Sequence, residues 1–381
     1  MKILFLDQSG KLGGAELSLL DLAKFYQNSC LVSLFADGLF REALEQYRVP
    51  VRILSSHSLK ISKNSNFWQS ISNIGQLIPL ISEIAQLSNN YDLIYANTQK
   101  AMVVGAITSF LTKKPLVYHL RDILSLEHFS RVNRRIAVLL ANHFADLIIA
   151  NSKATKEAFI EAGGKEERVR LVYNGFNLEQ YQNSNNNVTQ LRQKFNLEGH
   201  FVVGHFSRLS PWKGQHILIE ALTHCPNTTA ILVGDALFGE YEYVEQLHQQ
   251  VKRLGLGDRV RFLGFRSDIP QLMSMCDLVA HTSTAPEPFG RVIVEAMLCG
   301  KPIVAAAAGG AVELVENGQT GWLTPPGDVL KLAEIINQCP TQPEATNAIA
   351  TAGKIAATQR FNLSDIEQQI DSLLCQVVCK K

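Results

Sequence analysis

The sequence lacks the features of several protein classes. Its seven cysteines, at positions 30, 225, 276, 299, 339, 375 and 379, are odd in number and form no Cys-x-x-Cys pair. A disulfide framework or a zinc knuckle is therefore not expected, and a reducing compartment fits best. Charged residues make up only 19% and hydrophobic residues 46% of the chain, a composition that argues against a disordered or fibrous protein.

No long, uninterrupted apolar run is present. The stretch 136–149 is broken by Asn142, His143 and Asp146, whereas a membrane-spanning helix needs about 20 apolar residues. The apolar run that ends at Asp7 has only four residues, which is fewer than the roughly 7–15 of a secretion signal. We therefore expect a cytoplasmic protein that does not cross a membrane by itself.

The net charge of +1 hides an asymmetry between the two halves of the chain. The first 175 residues carry 20 Lys and Arg against 15 Asp and Glu, and the remainder carries 16 against 20, so the halves are +5 and −4. Lys113-Lys114 and the trio Arg131, Arg134 and Arg135 concentrate positive charge, which favours an anionic membrane surface or an acidic acceptor. An ordinary solvated helix face explains the same pattern. No long basic run is interleaved with aromatic residues, so nucleic acid is not an expected partner.

Short β-branched or aromatic runs recur along the chain with helix-length spacers, which predicts parallel sheets. In the first half these runs are 3–6, 31–35, 93–95, 116–119, 147–150 and 169–173, and in the second half 202–206, 230–233, 260–263, 278–280 and 302–305. The polar segment Gln182–Asn187 between them predicts an interdomain linker. The pattern indicates two doubly wound α/β domains in tandem, at 1–180 and 190–358.

The residues that follow each strand are the candidates for ligand binding, because open α/β sheets bind ligands at the carboxyl ends of their strands. The first such loop runs from Asp7 to Glu16 and contains Gly13 and Gly14. It is typical of a phosphate-binding turn at a helix N-terminus, although a plain tight turn fits it too. A dinucleotide fingerprint starting at Gly10 fails, because positions 12 and 15 are not glycine.

Two cations follow the first strand of the second half. Arg208 and Lys213 lie on one predicted strand-to-helix loop. A forked guanidinium and a point ammonium suit a diphosphate. A solvated loop is the alternative for this pair taken alone.

The segment 283–297 carries two acids in different settings. Pro286 and Pro288 keep Glu287 out of a helix, and a helix is predicted to begin near Arg291. Glu295 then falls on a stripe of small apolar residues, where a carboxylate costs several kcal/mol unless something bonds to it. Either an internal donor or a ligand hydroxyl can be that partner. The backbone N–H groups of the helix terminus can donate hydrogen bonds to a phosphate, and they belong to Phe289, Gly290 and Arg291.

These motifs resemble the large retaining glycosyltransferase family 4. Glu287 and Glu295, with seven residues between them, are similar to its E-x7-E motif. The resemblance covers nearly the whole chain, and its further motifs are 13–16, 174–175, 207–214, 264–268 and 300–310. It implies the GT-B fold, in which two Rossmann-like domains face a central cleft. It also implies that the C-terminal helix, about 361–381, joins the N-terminal, acceptor-side domain.

The resemblance implies a role for each site residue. Arg208 and Lys213 would hold the donor diphosphate, Glu287 the sugar hydroxyls and Glu295 the ribose. Phe289, Gly290 and Arg291 would offer backbone amides to sugar and phosphate. Further donor contacts would come from Gly13, Gly14, Phe265 and Arg266, the last two beside the base. His119 matches a position that contacts the donor sugar in relatives, although a lone strand-end histidine is more often structural. Arg121 and Asp122, which follow it, would orient its ring or contact the acceptor.

The expected activity is transfer of a hexose, glucose being our choice, from a nucleotide sugar such as UDP-glucose. Retention of configuration and a saccharide or lipid-linked oligosaccharide acceptor in polysaccharide synthesis are implied by the resemblance, as is peripheral contact with the inner face of the membrane. No Asp-x-Asp pair follows a strand, so we expect cations to neutralise the diphosphate and no metal or cofactor to be needed. The alternatives are a GT-B sugar-nucleotide epimerase, a phosphorylase and a non-catalytic protein that binds sugar nucleotides.

Overall fold

The computed structural model describes residues 1–54, 74–124, 130–182, 187–237 and 239–380. These residues form two compact units, one made of Met1–Gly175 with Ser364–Lys381 and the other of Phe176–Leu363. The boundary after Gly175 lies a few residues before the end of the first domain as predicted at 180. Positions 183–186 of the Asn-rich segment, where the linker was expected, lie outside the described residues.

The first unit contains a sheet of seven parallel strands in the order β3-β2-β1-β4-β5-β6-β7. The strands are β1 Ile3–Asp7, β2 Cys30–Leu34, β3 Val51–Ile53, β4 Leu93–Ala96, β5 Leu116–Leu120, β6 Leu147–Ala150 and β7 Val169–Leu171. The order reverses between β1 and β4, which pair in register from Ile3 with Leu93. This switch point is where doubly wound sheets bind ligands.

Helices cover both faces of this sheet. Their bounds are Gly14–Phe25, Leu39–Gln46, Ile74–Ser88, Gln99–Thr112, Arg131–Phe144, Lys153–Glu161 and Leu363–Cys379, with a 3-10 turn at Glu166–Arg168. Ile3 and Phe5 belong to the core on one side of β1, and Leu4 and Leu6 to the core on the other. Burial on both faces explains why the strands read as continuous apolar runs instead of alternating ones.

The last helix, Leu363–Cys379, completes the core of the first unit. Ile366, Ile370, Leu374 and Val377 recur at helical spacing and are buried in the same cluster as β1 and β2. The Tyr26 hydroxyl also donates a 2.6 Å hydrogen bond to Asp371 on this helix. The first unit is therefore built from both ends of the described chain.

The second unit repeats the same architecture with six parallel strands in the order β10-β9-β8-β11-β12-β13. These are β8 Phe201–Phe206, β9 Thr228–Val233, β10 Val260–Gly264, β11 Leu278–His281, β12 Ile303–Ala306 and β13 Trp322–Thr324. The switch point lies between β8 and β11. Two doubly wound α/β units confirm the predicted fold class.

The helices of the second unit precede β8, connect its strands and follow β13. They are Glu179–Gln182, Val188–Lys194, Gln215–Ala221, Tyr241–Arg253, Ile269–Ser274, Arg291–Leu298, Ala311–Leu314, Val329–Thr341 and Pro343–Arg360, with 3-10 turns at Pro211–Lys213 and Leu222–His224. Among the helices of the described residues, none has the length and apolarity of a membrane span.

The sequence pattern missed two strands, β3 and β13. Each is three residues long and lies at the edge of its sheet. A run this short is too brief to show a periodicity. The edge strand β7 is equally short, but its run continues through Val172 and Tyr173 and was therefore visible in the sequence. Strands β3 and β13 form because a neighbouring strand offers its free edge.

Candidate active site

The loop after β8 in the second unit carries the two predicted cations. Arg208 is the second residue after β8, and Lys213 ends the 3-10 turn Pro211–Lys213. The Trp212 ring lies 4.0 Å from the Lys213 ammonium and 5.5 Å from the Arg208 guanidinium carbon. Because an indole face attracts cations, Trp212 stabilises two like charges on one loop.

Gly214 closes this loop in a left-handed conformation, with φ of 73°. A Cβ at this position would lie 1.9 Å from the backbone oxygen of Thr282. The Thr282 hydroxyl donates to the Gly214 carbonyl at 2.7 Å. His205, at 3.2 Å from the Lys213 carbonyl, supports the same turn, and burial lowers the pKa of His205 to about 3, so that its ring is neutral. The Lys213 backbone is thus fixed against β11.

Glu287 lies in the loop between β11 and the helix Arg291–Leu298, as predicted. Its carbonyl accepts a 2.6 Å hydrogen bond from the Gly310 N–H. One carboxylate oxygen, Oε2, is 2.6 Å from the Lys213 ammonium, 3.1 Å from His281 Nε2 and 3.2 Å from the Ser283 hydroxyl. The side chain is buried at 9% exposure.

Electrostatics keep this acid ionised. Burial alone would raise the pKa of Glu287, but the Lys213 ammonium and the hydrogen bond from His281 outweigh it and hold the pKa well below its ordinary value. Burial lowers the pKa of Lys213, and the attraction of Glu287 opposes that change. The diphosphate clamp predicted from the sequence is therefore paired with the predicted sugar-binding acid.

A helix N-terminus follows Glu287. Gly290 is its N-cap, with φ of 99° and no side-chain cap. Phe289 is buried against Phe176, with ring centroids 6.3 Å apart, and the Arg291 guanidinium lies 4.5 Å from the Phe176 ring. This packing fixes the start of the helix at the residue predicted from the sequence.

Glu295 lies one turn later on the same helix. Its Oε1 is 3.4 Å from Arg291 Nε, and both side chains are largely shielded from solvent. The structure thus supplies an internal cation that forms an ion pair with this carboxylate, where the sequence had left an internal donor or a ligand hydroxyl open. A ribose hydroxyl would share this carboxylate with Arg291.

Phe265 and Arg266 follow β10, which is the edge strand of the sheet and is separated from β8 by β9. The Phe265 side chain is 51% exposed. Arg266 forms two hydrogen bonds with Asp268, of 2.6 and 2.8 Å. Phe265 offers an open apolar surface at this edge, and the Arg266 side chain is held by its acid neighbour.

In the first unit, the loop after β1 ends at Gly13 and Gly14. Gly13 is the N-cap of the helix Gly14–Phe25, and its N–H donates to the Glu16 carboxylate at 3.0 Å. This is half of a capping box. The chain's own acid therefore occupies part of the terminus where the sequence pattern suggested a phosphate.

A buried polar network lies beside this loop at the switch point. Asn97 Nδ2 donates to Asp7 at 2.7 Å, Arg121 Nε donates to Asn97 Oδ1 at 3.0 Å, and Arg121 Nη1 donates to Asn174 at 2.6 Å. Burial raises the pKa of Asp7 to about 6. Burial and the charge of Asp7 raise the pKa of Glu16 to about 7. The network thus holds Arg121 between two asparagine side chains and contains acids with raised pKa values.

His119 is buried at the carboxyl end of β5. Its Nδ1 forms a hydrogen bond with the Tyr95 hydroxyl. Burial and the nearby Arg121 hold the pKa of His119 well below its ordinary value, so the ring is neutral at pH 7. Its Nε2 has no hydrogen-bond partner within the described residues. A neutral ring with one free nitrogen can bond a sugar hydroxyl.

The sequence interpretation missed the residues that hold the charged pair. They are His205, Trp212, His281, Thr282 and Ser283. A signal was present, because polar residues interrupt or directly follow the buried strands β8 and β11. Nowhere in the described ranges do three or more His, Cys, Asp or Glu side chains form a group suited to a metal ion.

Two family models match the chain. The model described as Glycosyltransferase Family 4 matches residues 12–180, and the model described as Glycosyl transferases group 1 matches residues 187–355. Together they span most of both units.

The chain is also similar to several known proteins. The crystal structure of Anabaena Alr3699/HepE in complex with UDP-glucose is similar, with a TM-score of 0.93, 59% identity and coverage of 99% of this chain and 100% of that one. The capsular polysaccharide biosynthesis glycosyltransferase CapM of Staphylococcus aureus is 23% identical over 364 residues, covering 87% of this chain and 91% of CapM. Spore coat protein SA of Bacillus subtilis is 30% identical over 223 residues, 54% of this chain and 58% of that protein.

Proposed function

The chain belongs to glycosyltransferase family 4 and is a glycosyltransferase, and from that premise we propose that it transfers glucose from UDP-glucose with retention of configuration. The observation that carries the proposal is the grouping of Lys213, Glu287 and the Gly290 helix terminus at the carboxyl ends of β8 and β11. The bound UDP-glucose in the 59% identical HepE supports the choice of donor.

Arg208 and Lys213 neutralise the donor diphosphate in this proposal. Two unit charges about 4 Å apart attract by about 4 kcal/mol at an effective dielectric near 20. The Lys213 ammonium, which contacts Glu287 at 2.6 Å, turns to the phosphate when the donor binds. The amides of Phe289, Gly290 and Arg291 add the positive end of a helix.

The two glutamates bind hydroxyl groups and are not nucleophiles. Glu287, kept ionised by its neighbours, accepts from the hydroxyls of the sugar, and Glu295 accepts from the ribose. Phe265 and Arg266 contact the base. His119, Gly13 and Gly14 contact the sugar side of the donor.

The chemical step exchanges one bond for another on the same face of the sugar. The acceptor oxygen bonds to the anomeric carbon while the bond from that carbon to the diphosphate oxygen breaks. The acceptor proton passes to the departing diphosphate, whose negative charge Arg208 and Lys213 stabilise. This step needs no divalent metal and no cofactor, so excess chelator should leave the rate unchanged.

We propose a saccharide or lipid-linked oligosaccharide of polysaccharide synthesis as acceptor, which the name of the relative CapM supports. The enzyme would work in the cytoplasm, peripherally at the inner face of the membrane. Phe110 and Leu111, at 58% and 60% exposure, lie on the first unit beside the basic pair Lys113-Lys114. Apolar side chains beside cations suit an anionic bilayer surface.

The membrane contact can be tested with lipid vesicles. Co-sedimentation should occur with anionic vesicles and not with neutral ones. The double change Phe110→Ser and Leu111→Ser should abolish it. A change of Leu330→Ser, which alters an exposed leucine of the second unit, is the control. Equal binding to neutral vesicles would contradict the proposal.

The activity is tested by incubating the purified chain with a panel of nucleotide sugars. UDP-glucose should give the largest thermal stabilisation and the fastest release of UDP, and NMR of the glycosylated product should show the donor's anomeric configuration. Release of free sugar epimer would favour the sugar-nucleotide epimerase. Stabilisation without turnover on any saccharide acceptor would favour a non-catalytic binding protein.

A further inference from the structure

Glu287 is held by two polar residues of the second unit that no motif includes. His281 is the last residue of β11, and Ser283 follows it by two positions. Both are buried, with 5% and 1% exposure. We propose that His281, with Ser283, is a positioning residue that orients the Glu287 carboxylate for the donor sugar; this inference rests on the proposed function.

The geometry fixes which atoms donate. His281 Nε2 lies 3.1 Å from Glu287 Oε2 and 3.1 Å from Ser283 Oγ, and the hydroxyl lies 3.2 Å from the same Oε2. An ionised carboxylate only accepts hydrogen bonds. His281 Nε2 must therefore carry its proton, and the Ser283 hydroxyl must point its proton at Glu287.

The remaining ring nitrogen supports this tautomer. His281 Nδ1 is buried and has no hydrogen-bond partner within the described residues. A proton on that atom would be an unpaired buried donor, which costs about 1–3 kcal/mol. A proton on Nε2 instead points at Glu287.

Under the proposed function, donor binding removes one of the three contacts to Oε2 and leaves two. Lys213, His281 and Ser283 all meet Oε2. When Lys213 turns to the diphosphate, His281 and Ser283 still hold Oε2. The other oxygen, Oε1, then keeps a fixed orientation toward the sugar.

The test compares a ligand that has the sugar with one that lacks it. In His281→Leu, the affinity for UDP should stay within about threefold, whereas UDP-glucose should bind about tenfold more weakly and turn over about 10–100 times more slowly. These factors correspond to a hydrogen bond to a charged group. His281→Gln, whose amide can donate from nearly the same place, should recover most of the loss.

His205→Leu is the matched control. His205 is also a buried histidine near a strand end, but it contacts the Lys213 carbonyl and not Glu287. Its loss should weaken UDP and UDP-glucose equally. The same equal loss in His281→Leu, or no loss of either ligand, would overturn the positioning role.

A second measurement does not depend on turnover. The carboxyl carbon of Glu287 can be titrated by NMR, with Glu287→Gln identifying its signal. In His281→Leu the pKa of Glu287 should rise, because a donor to the ionised form is gone. An unchanged pKa would overturn the positioning role alone. A wild-type chain that turns over no nucleotide sugar would instead contradict the proposed function and leave this titration to decide the inference.

Discussion

The loops after β1 and β8 hold corresponding places in their two sheets, yet different charged groups gather at them. The first loop is flanked by Asp7, the last residue of β1, and by Glu16 in the helix that follows, whose pKa values are raised to about 6 and 7. The second contains Arg208 and Lys213. The doubly wound fold decides where ligand groups gather, and the loop sequence decides their sign.

Two equally buried glutamates show how neighbours add to or oppose the effect of burial. Glu16 and Glu287 are both at 9% exposure. Burial raises the pKa of Glu16 and the charges of Asp7 and Asp122 add to that rise, whereas at Glu287 Lys213 and His281 outweigh burial, so its pKa falls. The first unit therefore has acids that titrate near neutral pH, and the second a carboxylate that stays ionised.

The largest expected effect is the difference in unfolding free energy between alanine substitutions at Gly214 and at Gly13. Gly214→Ala should cost more than about 4 kcal/mol of unfolding free energy, because its Cβ would meet the Thr282 backbone at 1.9 Å in a left-handed turn. Gly13→Ala should cost about 1 kcal/mol or less, since its Cβ meets only the mobile end of Glu16 at 2.8 Å. Urea unfolding followed by circular dichroism measures both. Equal losses would show that the two loops are equally constrained.

Loss of the Lys213 charge should lower kcat more than loss of the neutral His119 ring in the first unit. Lys213→Ala should lower kcat about 10²–10³-fold, as loss of a transition-state cation does. His119→Ala should lower it only about tenfold, because a neutral ring offers one uncharged hydrogen bond. Steady-state kinetics with UDP-glucose measures both. A Lys213→Ala enzyme with a near-normal rate would remove the diphosphate clamp from the mechanism.

The raised pKa of Glu16 should make stability depend on pH. The pKa in the folded chain, about 7, is above the unfolded value of 4.5, so the protonated acid stabilises the fold at low pH and this contribution is lost as pH rises through 7. Glu16→Gln, which keeps an acceptor for Gly13, should be more stable than wild type at pH 8 by about 2 kcal/mol more than at pH 5.

Thermal and urea unfolding at the two pH values test this dependence. Glu42→Gln, a change of an exposed acid in the same unit, should show no such difference. A stability gain for Glu16→Gln that is the same at both pH values would argue for a packing effect.

A last comparison concerns the residues that follow β4 and β11, which hold corresponding positions in the two sheets. Thr282→Val removes the 2.7 Å hydrogen bond to Gly214 and should cost about 1 kcal/mol. Asn97→Leu should cost about 2–3 kcal/mol, because Asp7 and Arg121 both lose a partner in a buried network. Urea unfolding midpoints compare the two variants. The reverse order would mean that Thr282 contributes more to stability beside the cationic loop than Asn97 does beside Asp7.

The sequence predicted the two sheets because long buried strands and the helices between them leave strong local patterns. It also predicted that Arg208 and Lys213 share a loop and that a helix begins at Arg291, since proline and glycine determine these features locally. The prediction failed at β3 and β13, because the apolar run at each strand is too short to form a recognisable pattern.

What the sequence did not predict are contacts between distant residues. The Lys213 to Glu287 ion pair joins positions 74 apart, and the support from His281 depends on how the β11 loop turns back. Glu16 lies at helical N3 spacing from Gly13, a capping signal that the phosphate interpretation overlooked. Such pairings depend on the folded backbone, and a linear pattern does not contain them.

The helix Leu363–Cys379 has a consequence for the order of events during synthesis. It supplies Ile366, Ile370, Leu374 and Val377 to the core of the first unit, whereas the second unit is a continuous stretch of chain. On the ribosome the later-made unit can therefore finish folding first. The earlier-made one keeps an apolar groove uncovered until the final helix emerges, which makes that interval the point at which chaperones are most needed.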